Sequence, residues 1–407
     1  MTTTHQVLIV GGGAAGLATA TSLQKRNSSL DIAVIEPSDS HFYQPGWTMV
    51  GAGVFGKKET LRSITKVWPA GIKRIKGAVK SFQPDQNQVT LEDGASVEYS
   101  SLVVAAGLKL NWAGVEGLNE SLGANGVTSN YRFDLAPYTW ELVQEMRGKE
   151  AIFTQPGMPI KCAGAPQKAM YLSCDHWRRN GHLKDINVSF SNAGTVLFGC
   201  ATYVPGLMEY INKYDISLDF GHNLVKIDGP AKKAWFTVTK EGDEPKTIER
   251  SFDMIHVCPP QTAPDFIKSS PLANANGWCD VNPATLRHVQ YENIFGLGDV
   301  TSTANAKTVA AARKQAPIVA QNVIAQLNGN ALLPLYDGYG SCPLTVENGK
   351  IILAEFGYGG KIMPTFPWDS TKPRRAAWLL KKSVLPHVYW GAMLKGREWL
   401  TKTTIAM

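Results

Sequence analysis

The sequence predicts an α/β protein that has two Rossmann-like domains and a C-terminal segment of amphipathic helices. Three observations lead to this fold class: a glycine-rich turn between a strand and a helix near the N-terminus, a later strand that ends in Gly-Asp at residue 299, and a basic, tryptophan-rich C-terminal segment. Of the 407 residues, 44% are hydrophobic and 18% are charged. This composition is typical of a globular protein and excludes the disordered and fibrous classes.

The first element is a βαβ unit with a dinucleotide-binding fingerprint. We expect a strand over 6–10, a helix over 17–25 and a second strand over 31–35. The fingerprint is formed by Gly11, Gly13, Ala14, Ala15, Gly16 and, about 20 residues further on, Glu36. The glycines permit the tight turn, the approach of backbone to a pyrophosphate and close packing of helix on sheet, while the carboxylate can accept hydrogen bonds from ribose hydroxyls. The unit therefore predicts a bound dinucleotide.

A second set of residues indicates that this dinucleotide is FAD. Residues 293–299 predict a strand that ends in Gly298 and Asp299, and a long helix is predicted from about Lys307. A carboxylate at the strand end can bind a ribityl hydroxyl, and a helix N-terminus with Lys307 in its first turn would stabilise negative charge on a reduced flavin. A third strand, over 102–107 and ending in Gly107, returns to the sheet near the cofactor. The alternative is an ordinary strand with a solvated lysine.

The second Rossmann-like domain lacks the fingerprint that NAD(P)H would need. After a strand near 151–154, residues 155–166 contain three prolines and Cys162 in place of a GxGxxG turn. We therefore expect an electron donor other than a nicotinamide. Cys162 precedes a helix that has Pro166 in its first turn, and Lys161 is adjacent, so a thiolate is favoured there. The alternative of a buried, inert thiol stays open.

Cys342 is the second candidate for thiol chemistry. It lies in a Gly/Pro-rich stretch, residues 336–344, which we predict to be a loop next to the flavin. Cys162 and Cys342 are thus both expected beside the isoalloxazine ring, one from each domain. If their Cα atoms lie within about 7 Å, they can form a redox-active disulfide.

The C-terminal segment carries nearly all of the net positive charge. Residues 361–407 contain nine Lys and Arg residues against two acidic residues, and the rest of the chain contains 32 of each. We predict two short helices, over 372–382 and 386–400, that lie on one leaflet of a membrane, since no stretch has the ~20 apolar residues needed to span it. The alternative is packing against the protein itself or a dimer partner. Nucleic-acid binding is not expected, and neither is a secretory signal, because residues 7–23 lack a basic start and are interrupted by glycines.

Four motifs carry a resemblance to a known family: residues 41–48 (HFYQPGWT), 160–168 (IKCAGAPQK), 342–344 (CPL) and 352–358 (ILAEFGY). Together they resemble the sulfide:quinone oxidoreductases of the flavoprotein disulfide reductase superfamily, in particular the two-cysteine branch that includes the mitochondrial enzyme. The resemblance covers nearly the whole chain. Other branches use a third cysteine before the second domain, and residues 123–150 contain none.

The resemblance implies an enzyme that oxidises sulfide and reduces membrane quinone through FAD. Cys162 and Cys342 would form the redox disulfide, with the persulfide on Cys162 and the flavin-facing thiolate on Cys342. The sulfane sulfur would pass to a thiol, to sulfite or to a growing polysulfide. The implied FAD contacts are Ala14, Ala15, Glu36, Gln44, Val79, Asp299 and Lys307, and the implied quinone contacts are Phe356 and Tyr358.

The resemblance also implies a domain division and a location. Residues 1–125 and 285–345 would form the FAD-binding domain, residues 126–284 the second domain, and residues 346–407 the quinone-site and membrane-surface segment. The location would be the cytoplasmic face of a bacterial inner membrane, or the mitochondrial inner membrane. A homo-oligomer is left open. The alternatives are the flavoprotein subunit of flavocytochrome c sulfide dehydrogenase, a type II NADH:quinone dehydrogenase and a non-enzymatic FAD-binding interaction protein.

Overall fold

The computed structural model describes residues 2–147, 149–332 and 335–401. The strands, in chain order, are β1 (Thr2–Val10), β2 (Ile32–Ile35), β3 (Ser40–Phe42), β4 (Leu61–Ser63), β5 (Lys73–Ile75), β6 (Val79–Gln83), β7 (Gln88–Leu91), β8 (Ser96–Val104), β9 (Lys109–Leu110), β10 (Val127–Thr128), β11 (Lys149–Gln155), β12 (Ile186–Asn192), β13 (Ser217–Phe220), β14 (His222–Asp228), β15 (Lys233–Val238), β16 (Lys246–Ser251), β17 (Met254–His256), β18 (Gln261–Thr262), β19 (Ile294–Gly296), β20 (Gly340–Glu347) and β21 (Lys350–Phe356). The α-helices are α1 (Ala14–Arg26), α2 (Trp47–Val50), α3 (Ile64–Val67), α4 (Leu118–Ser121), α5 (Ala136–Glu145), α6 (Ala165–Arg179), α7 (Val204–Lys213), α8 (Asp265–Lys268), α9 (Val309–Leu327), α10 (Arg375–Leu379) and α11 (Leu385–Gly391).

The first sheet is a seven-stranded sheet built around the predicted βαβ unit. Its order is β5-β2-β1-β8-β7-β6, and β19 pairs with β8. β1 and β2 are parallel and are apolar and buried where they pair, as expected for strands covered on both faces. The turn before α1 needs glycine, because a Cβ on Gly16 would lie 1.8 Å from the carbonyl oxygen of Gly11. The predicted unit is therefore confirmed, with α1 beginning three residues earlier than expected.

The helix that was expected to begin at Lys307 is α9, and it begins at Val309. Thr308 is its N-cap, and the side-chain oxygen of Thr308 accepts a hydrogen bond from the amide of Ala311. The prediction that Lys307 lies in the first helical turn is therefore wrong. The threonine hydroxyl satisfies a free amide of the first turn, so the helix begins after the lysine.

The second sheet has five strands, all parallel, in the order β10-β17-β11-β12-β13. α6 follows β11 and carries Pro166 in its first turn, as the sequence predicted. A separate antiparallel sheet, β14-β15-β16, lies beside it. The connection between β11 and α6, residues 156–164, holds Cys162 at the carboxyl edge of the parallel strands, where ligands bind in such folds.

The predicted loop around Cys342 is a strand. β20 and β21 form an antiparallel hairpin in which Cys342 lies opposite Ala354. The alternating apolar residues of this hairpin pack into the core of the second sheet, and this burial outweighs the turn preference of the nearby glycines and proline. The predicted domain boundary at 345 falls inside β20, and the domain boundaries stay predictions.

The two predicted C-terminal helices form one continuous helical segment, in which the α-helix changes to a π-helix and back. α10 continues through a π-helical turn, Leu380–Val384, into α11, which ends at Gly391 rather than near 400. Trp378, Tyr389 and Leu394 are buried against the rest of the protein. For these side chains the alternative of packing against the protein itself therefore holds. Residues 402–407 of the predicted segment lie outside the described residues.

Candidate active site

The structure brings the two predicted cysteines together. The Sγ atoms of Cys162 and Cys342 lie 3.5 Å apart, although the residues are 180 positions apart in sequence. Cys162 has a φ of +52° and donates its backbone N–H to the carbonyl oxygen of Lys307 at 2.9 Å, so the connection after β11 is tied to the residue before α9. Gly164 makes room for the pair, because a Cβ there would lie 2.5 Å from the sulfur of Cys342.

The two sulfur atoms differ in their surroundings. Cys162 is half-buried, whereas Cys342 is 2% exposed. The hydrogen bond from Cys342 lowers the pKa of Cys162 well below its usual value; burial opposes this effect, and Lys168 adds to it. The same hydrogen bond, together with burial, raises the pKa of Cys342. The reduced pair therefore holds a thiolate at Cys162 and a thiol at Cys342.

Lys168 supplies the positive charge at this pair. It lies on the first turns of α6, is 3% exposed, and its ammonium donates to the sulfur of Cys162 at 3.0 Å. Helical side chains lean toward the helix N-terminus, which directs Lys168 back to Cys162. Burial disfavours its charged form, but the charges of Cys162 and Cys342 more than offset this and raise the pKa of Lys168. The sequence analysis included Lys168 in the motif at 160–168 but predicted no role for it.

The adjacent lysine, which the sequence analysis favoured, points elsewhere. The ammonium of Lys161 donates to Oε1 of Gln44 and lies over the rings of Trp47 and Tyr131, at 5.4 and 5.7 Å from their centroids. Burial lowers the pKa of Lys161, and the carboxylate of Asp299 opposes that shift. The charges of Lys161 and Cys162 still interact, since Cys162 acts to raise the pKa of Lys161, and the effect of Lys161 on the pKa of Cys162 stays a prediction.

A second lysine reaches the pair from the C-terminal segment. Lys381 lies in the π-helical turn, is 3% exposed, and donates to the carbonyl oxygen of Pro45 at 3.2 Å. Burial and the charge of Lys168 lower the pKa of Lys381 to about 7, whereas Cys162 and Cys342 act to raise it. The sequence analysis placed Lys381 in the predicted membrane-surface helix over 372–382. In the structure this lysine is buried instead, in a π-helical turn of the kind that often marks functional sites.

The residues of the glycine-rich turn fit a dinucleotide. The amide of Gly12 donates to Oε2 of Glu36 at 2.8 Å, which places this carboxylate at the end of β2. A Cβ on Gly13 or Gly107 would meet nothing within 4 Å, so the backbone at both positions borders open space that a pyrophosphate can approach. Ala14 and Ala15 begin α1 beside this space, and a Cβ on Gly298 would lie 3.1 Å from Ala15.

The Gly-Asp end of β19 lies at the same site. Burial raises the pKa of Asp299, and the positive charges of Lys307 and Lys161 oppose the shift. Lys307 donates to the carbonyl oxygens of Asp299 and Thr301, each at 2.8 Å, and burial lowers its pKa to about 8. Its ammonium therefore binds the backbone of the loop rather than pointing freely at a flavin.

The remaining predicted residues lie on three elements. Val79 begins β6 at the edge of the first sheet and is buried. Phe356 ends β21, is partly buried and meets Phe198 edge-on, with ring centroids 5.8 Å apart. Tyr358 follows, and its hydroxyl donates to the carbonyl oxygen of Pro283 at 2.9 Å. Their roles toward FAD and quinone stay predictions.

A dinucleotide-type turn at the first sheet and a cysteine pair beside the second, parallel sheet are together typical of disulfide oxidoreductases. The family model described as pyridine nucleotide-disulphide oxidoreductase matches residues 5–142. A protein of Dictyostelium discoideum is 42% identical over 403 residues, which cover 98% of this chain and 88% of that protein. A mouse protein is 38% identical over 392 residues, which cover 96% and 87%. Both are named mitochondrial sulfide:quinone oxidoreductase.

A solved structure shows the same fold. The sulfide:quinone oxidoreductase of Aquifex aeolicus superimposes with a TM-score of 0.78 at 21% identity, over 97% of this chain and 92% of that one. The chain therefore belongs to the sulfide:quinone oxidoreductase family, which confirms the resemblance seen in the motifs. Membership implies a flavin cofactor. Among the described residues, no helix combines the length and the apolar character that crossing a membrane requires.

Proposed function

We propose that this protein oxidises sulfide to sulfane sulfur through a Cys162–Cys342 disulfide and FAD, and that it reduces a membrane quinone. The observation that carries the proposal is the pair of sulfur atoms 3.5 Å apart, with the ammonium of Lys168 at 3.0 Å from one of them. Cys162 occupies the connection after β11, where a nicotinamide-binding relative would need a glycine-rich turn. The names of the similar proteins support the same reaction.

The first step is attack by HS⁻ on the disulfide. The half-buried sulfur of Cys162 is the accessible one, since Cys342 is 2% exposed. A new S–S bond forms between the sulfide sulfur and Cys162, the bond to Cys342 breaks, and Cys342 leaves as a thiolate that holds the bonding electron pair. Lys168 and Lys381 stabilise the negative charge, because both interact with Cys162 and Cys342.

The second step removes the sulfane sulfur, and the Cys162–Cys342 bond then forms again by loss of two electrons from the two thiolates. An acceptor nucleophile, which is a thiolate, sulfite or a polysulfide, takes the terminal sulfur of the Cys162 persulfide, and Cys162 is left as a thiolate. FAD, when bound, supplies the two-electron acceptor for the cysteine pair and the donor for quinone. The residues that would hold FAD are the turn at 11–16, Glu36, Gln44, Val79, Gly107, Gly298, Asp299 and Lys307. We place Phe356 and Tyr358 against the quinone ring.

The C-terminal segment supports a position on a membrane surface. Four of the eight strongly exposed large apolar side chains among the described residues lie in it: Leu379, Val384, Trp399 and Leu400, each between 46% and 65% exposed. Lysines and arginines of the same segment would attract an anionic leaflet. The relatives from Dictyostelium and mouse are named as mitochondrial, which favours the inner mitochondrial membrane over the bacterial alternative.

The test is anaerobic reduction of the flavin, followed in the visible spectrum. Sulfide should bleach the flavin of the parent holoenzyme, and added quinone should restore it. Cys162→Ser and Cys342→Ser should abolish bleaching by sulfide. Cys174→Ala is the matched control, because Cys174 is buried on α6 away from the pair and should leave the reaction unchanged.

Each other outcome favours a different protein class. Bleaching by NADH but not by sulfide would contradict the argument from the missing fingerprint and favour a type II dehydrogenase. Bleaching by sulfide with recovery on a haem protein, and none on quinone, would favour the flavocytochrome c alternative. A flavin that neither donor bleaches would favour a non-enzymatic FAD-binding protein.

A further inference from the structure

An open cavity of about 420 Å³ lies outside the cysteine site, between α1 and the C-terminal segment. Its lining residues come from three parts of the chain: Thr21, Gln24, Lys25, Pro69, Ala70 and Lys395. The side-chain amide of Gln24 donates to the carbonyl oxygen of Ala70 at 2.8 Å, and the hydroxyl of Thr21 donates to its own helix at the carbonyl oxygen of Leu17. These two groups are already satisfied, so the two lysines provide the charge available to a ligand.

The positive charge at this cavity is only partly offset by a neighbouring carboxylate: burial opposes the lowered pKa of Glu398, hydrogen bonds from Arg26 and Ser22 lower it, and the charge of Lys25 adds to the lowering. In the parts of the chain that the structure describes, neither Lys25 nor Lys395 forms an ion pair, and the ammonium of Lys395 meets only the carbonyl oxygen of Val67, at 3.3 Å. Glu398 is the nearest carboxylate of the C-terminal segment, and it accepts two hydrogen bonds from Arg26, at 2.6 and 2.9 Å. The cavity therefore presents two exposed cations to an anionic ligand.

An apolar rim, formed by the exposed side chains of Trp399 and Leu400, follows the cavity residue Lys395 along the chain. Gly396 lies against α1, where a Cβ would come within 3.0 Å of the carbonyl oxygen of Thr21. The chain then leads to Trp399 and Leu400, which are 58% and 65% exposed. Arg313 holds this end in place by donating to the carbonyl oxygen of Trp399 at 2.6 Å. Exposed tryptophan next to lysine is typical of side chains at a membrane interface.

We propose that this cavity binds the phosphate headgroup of an anionic phospholipid. Lys25 and Lys395 would pair with the phosphate, Pro69 and Ala70 would contact the glycerol, and the acyl chains would run past the exposed apolar rim into the leaflet. The proposal rests on the membrane position given under the proposed function. Inorganic phosphate has the same charge but no apolar part, and so it leaves the exposed rim uncovered.

The test measures binding of a soluble anionic lipid to the holoenzyme. Dihexanoylphosphatidylglycerol, kept below its micelle concentration, should bind with a one-to-one stoichiometry. The double variant Lys25→Ala/Lys395→Ala should lose about five-fold in affinity for each lysine, about 30-fold in total. The control Lys66→Ala/Lys382→Ala removes the same charge from exposed lysines outside the cavity and should keep the parent affinity.

Three results would overturn the proposal. Equal losses in the two double variants would show diffuse electrostatic attraction, and no one-to-one binding in the parent would show that there is no lipid site. Equal affinity for inorganic phosphate would show a phosphate site instead. Reduction of a short-chain quinone by sulfide in detergent should be unchanged in both double variants. Loss of that reaction in the parent protein would contradict the proposed function, and the lipid titration does not depend on it.

Discussion

Replacing Lys381 by methionine should make the protein more stable at neutral pH. Lys381 is 3% exposed, and burial with the nearby charge of Lys168 lowers its pKa to about 7. In the unfolded chain the pKa of a lysine is about 10.4. Between these values the unfolded state binds more protons than the folded state, so the stability of the parent rises with pH in this window. Methionine matches the lysine side chain as far as Cε and removes the ammonium group.

The size of the stability gain follows from the difference between the pKa of Lys381 in the folded protein and in the unfolded chain. About three units at about 1.4 kcal/mol each give a penalty of about 4 kcal/mol at pH 7, which falls to about 2 kcal/mol at pH 9. The variant also loses the hydrogen bond to the carbonyl oxygen of Pro45, which costs about 1 kcal/mol. The net gain is therefore about 3 kcal/mol at pH 7. For a chain of 407 residues, whose unfolding entropy is about 0.9 kcal/mol/K, this corresponds to a Tm about 3 °C higher.

The assay is thermal unfolding of the holoenzyme between pH 6 and pH 9, followed by flavin fluorescence. Lys382→Met is the matched control, because Lys382 is the next residue and is exposed, and it should leave Tm unchanged at every pH. A Tm of Lys381→Met that equals or falls below the parent value at pH 7, or a gain that does not shrink toward pH 9, would refute the reasoning. Reduction of the flavin by sulfide should become slower in the same variant, as expected when stability and function compete at one residue.

Three further predictions concern the cysteine pair and the dinucleotide turn. Lys168→Met should raise the pKa of Cys162 by at least one unit, measured as the pH midpoint of alkylation by iodoacetamide, because the ammonium lies 3.0 Å from the sulfur. Gly164→Ala should slow formation of the disulfide about ten-fold or more, measured by thiol titration after one equivalent of oxidant, because its Cβ would lie 2.5 Å from the sulfur of Cys342. Glu36→Gln should weaken retention of FAD about ten-fold, measured by release of fluorescent flavin, because a charge-assisted hydrogen bond is lost.

Matched variants control for unspecific effects. Lys161→Met removes a neighbouring charge that contacts Gln44 rather than the sulfur, and the alkylation midpoint should move less than in Lys168→Met. Gly157→Ala lies in the same connection, where a Cβ meets nothing within 4 Å, and disulfide formation should keep its rate. Equal shifts in Lys161→Met and Lys168→Met would contradict the assignment of the charge to Lys168. Unchanged FAD release in Glu36→Gln would contradict a ribose contact at that residue.

Parts of the fold that depend on residues close together in sequence could be predicted from the sequence. The βαβ unit was predictable because short-range sterics determine where its glycines must stand, and because burial on both faces makes its strands apolar. The meeting of Cys162 with Cys342 was predictable from their expected positions beside one cofactor. The strand that holds Cys342 was not, because its pairing partner Ala354 lies in β21, and the glycines and proline nearby favour a loop.

The lysines of the site show a second limit of prediction from the sequence. A lysine next to a cysteine in sequence appeared to be its partner, but side chains of adjacent residues diverge, and Lys168 on α6 is directed back to the sulfur instead. Lys381 belongs to a segment whose charge pattern indicates a membrane surface. In the structure this lysine is buried in a π-helical turn, and nothing in composition or periodicity distinguishes such a turn from an ordinary helix.

Strands from distant parts of the chain pair in the first sheet, and this has a consequence for synthesis on the ribosome. β19 pairs with residues 102–104 of β8, whereas residues 96–98 of β8 pair with β7. The edge of β8 at 102–104 therefore stays uncovered until residue 296 has left the ribosome. We expect the nascent chain to expose the edge of β8 throughout translation of the second sheet, and to depend on chaperones during that interval.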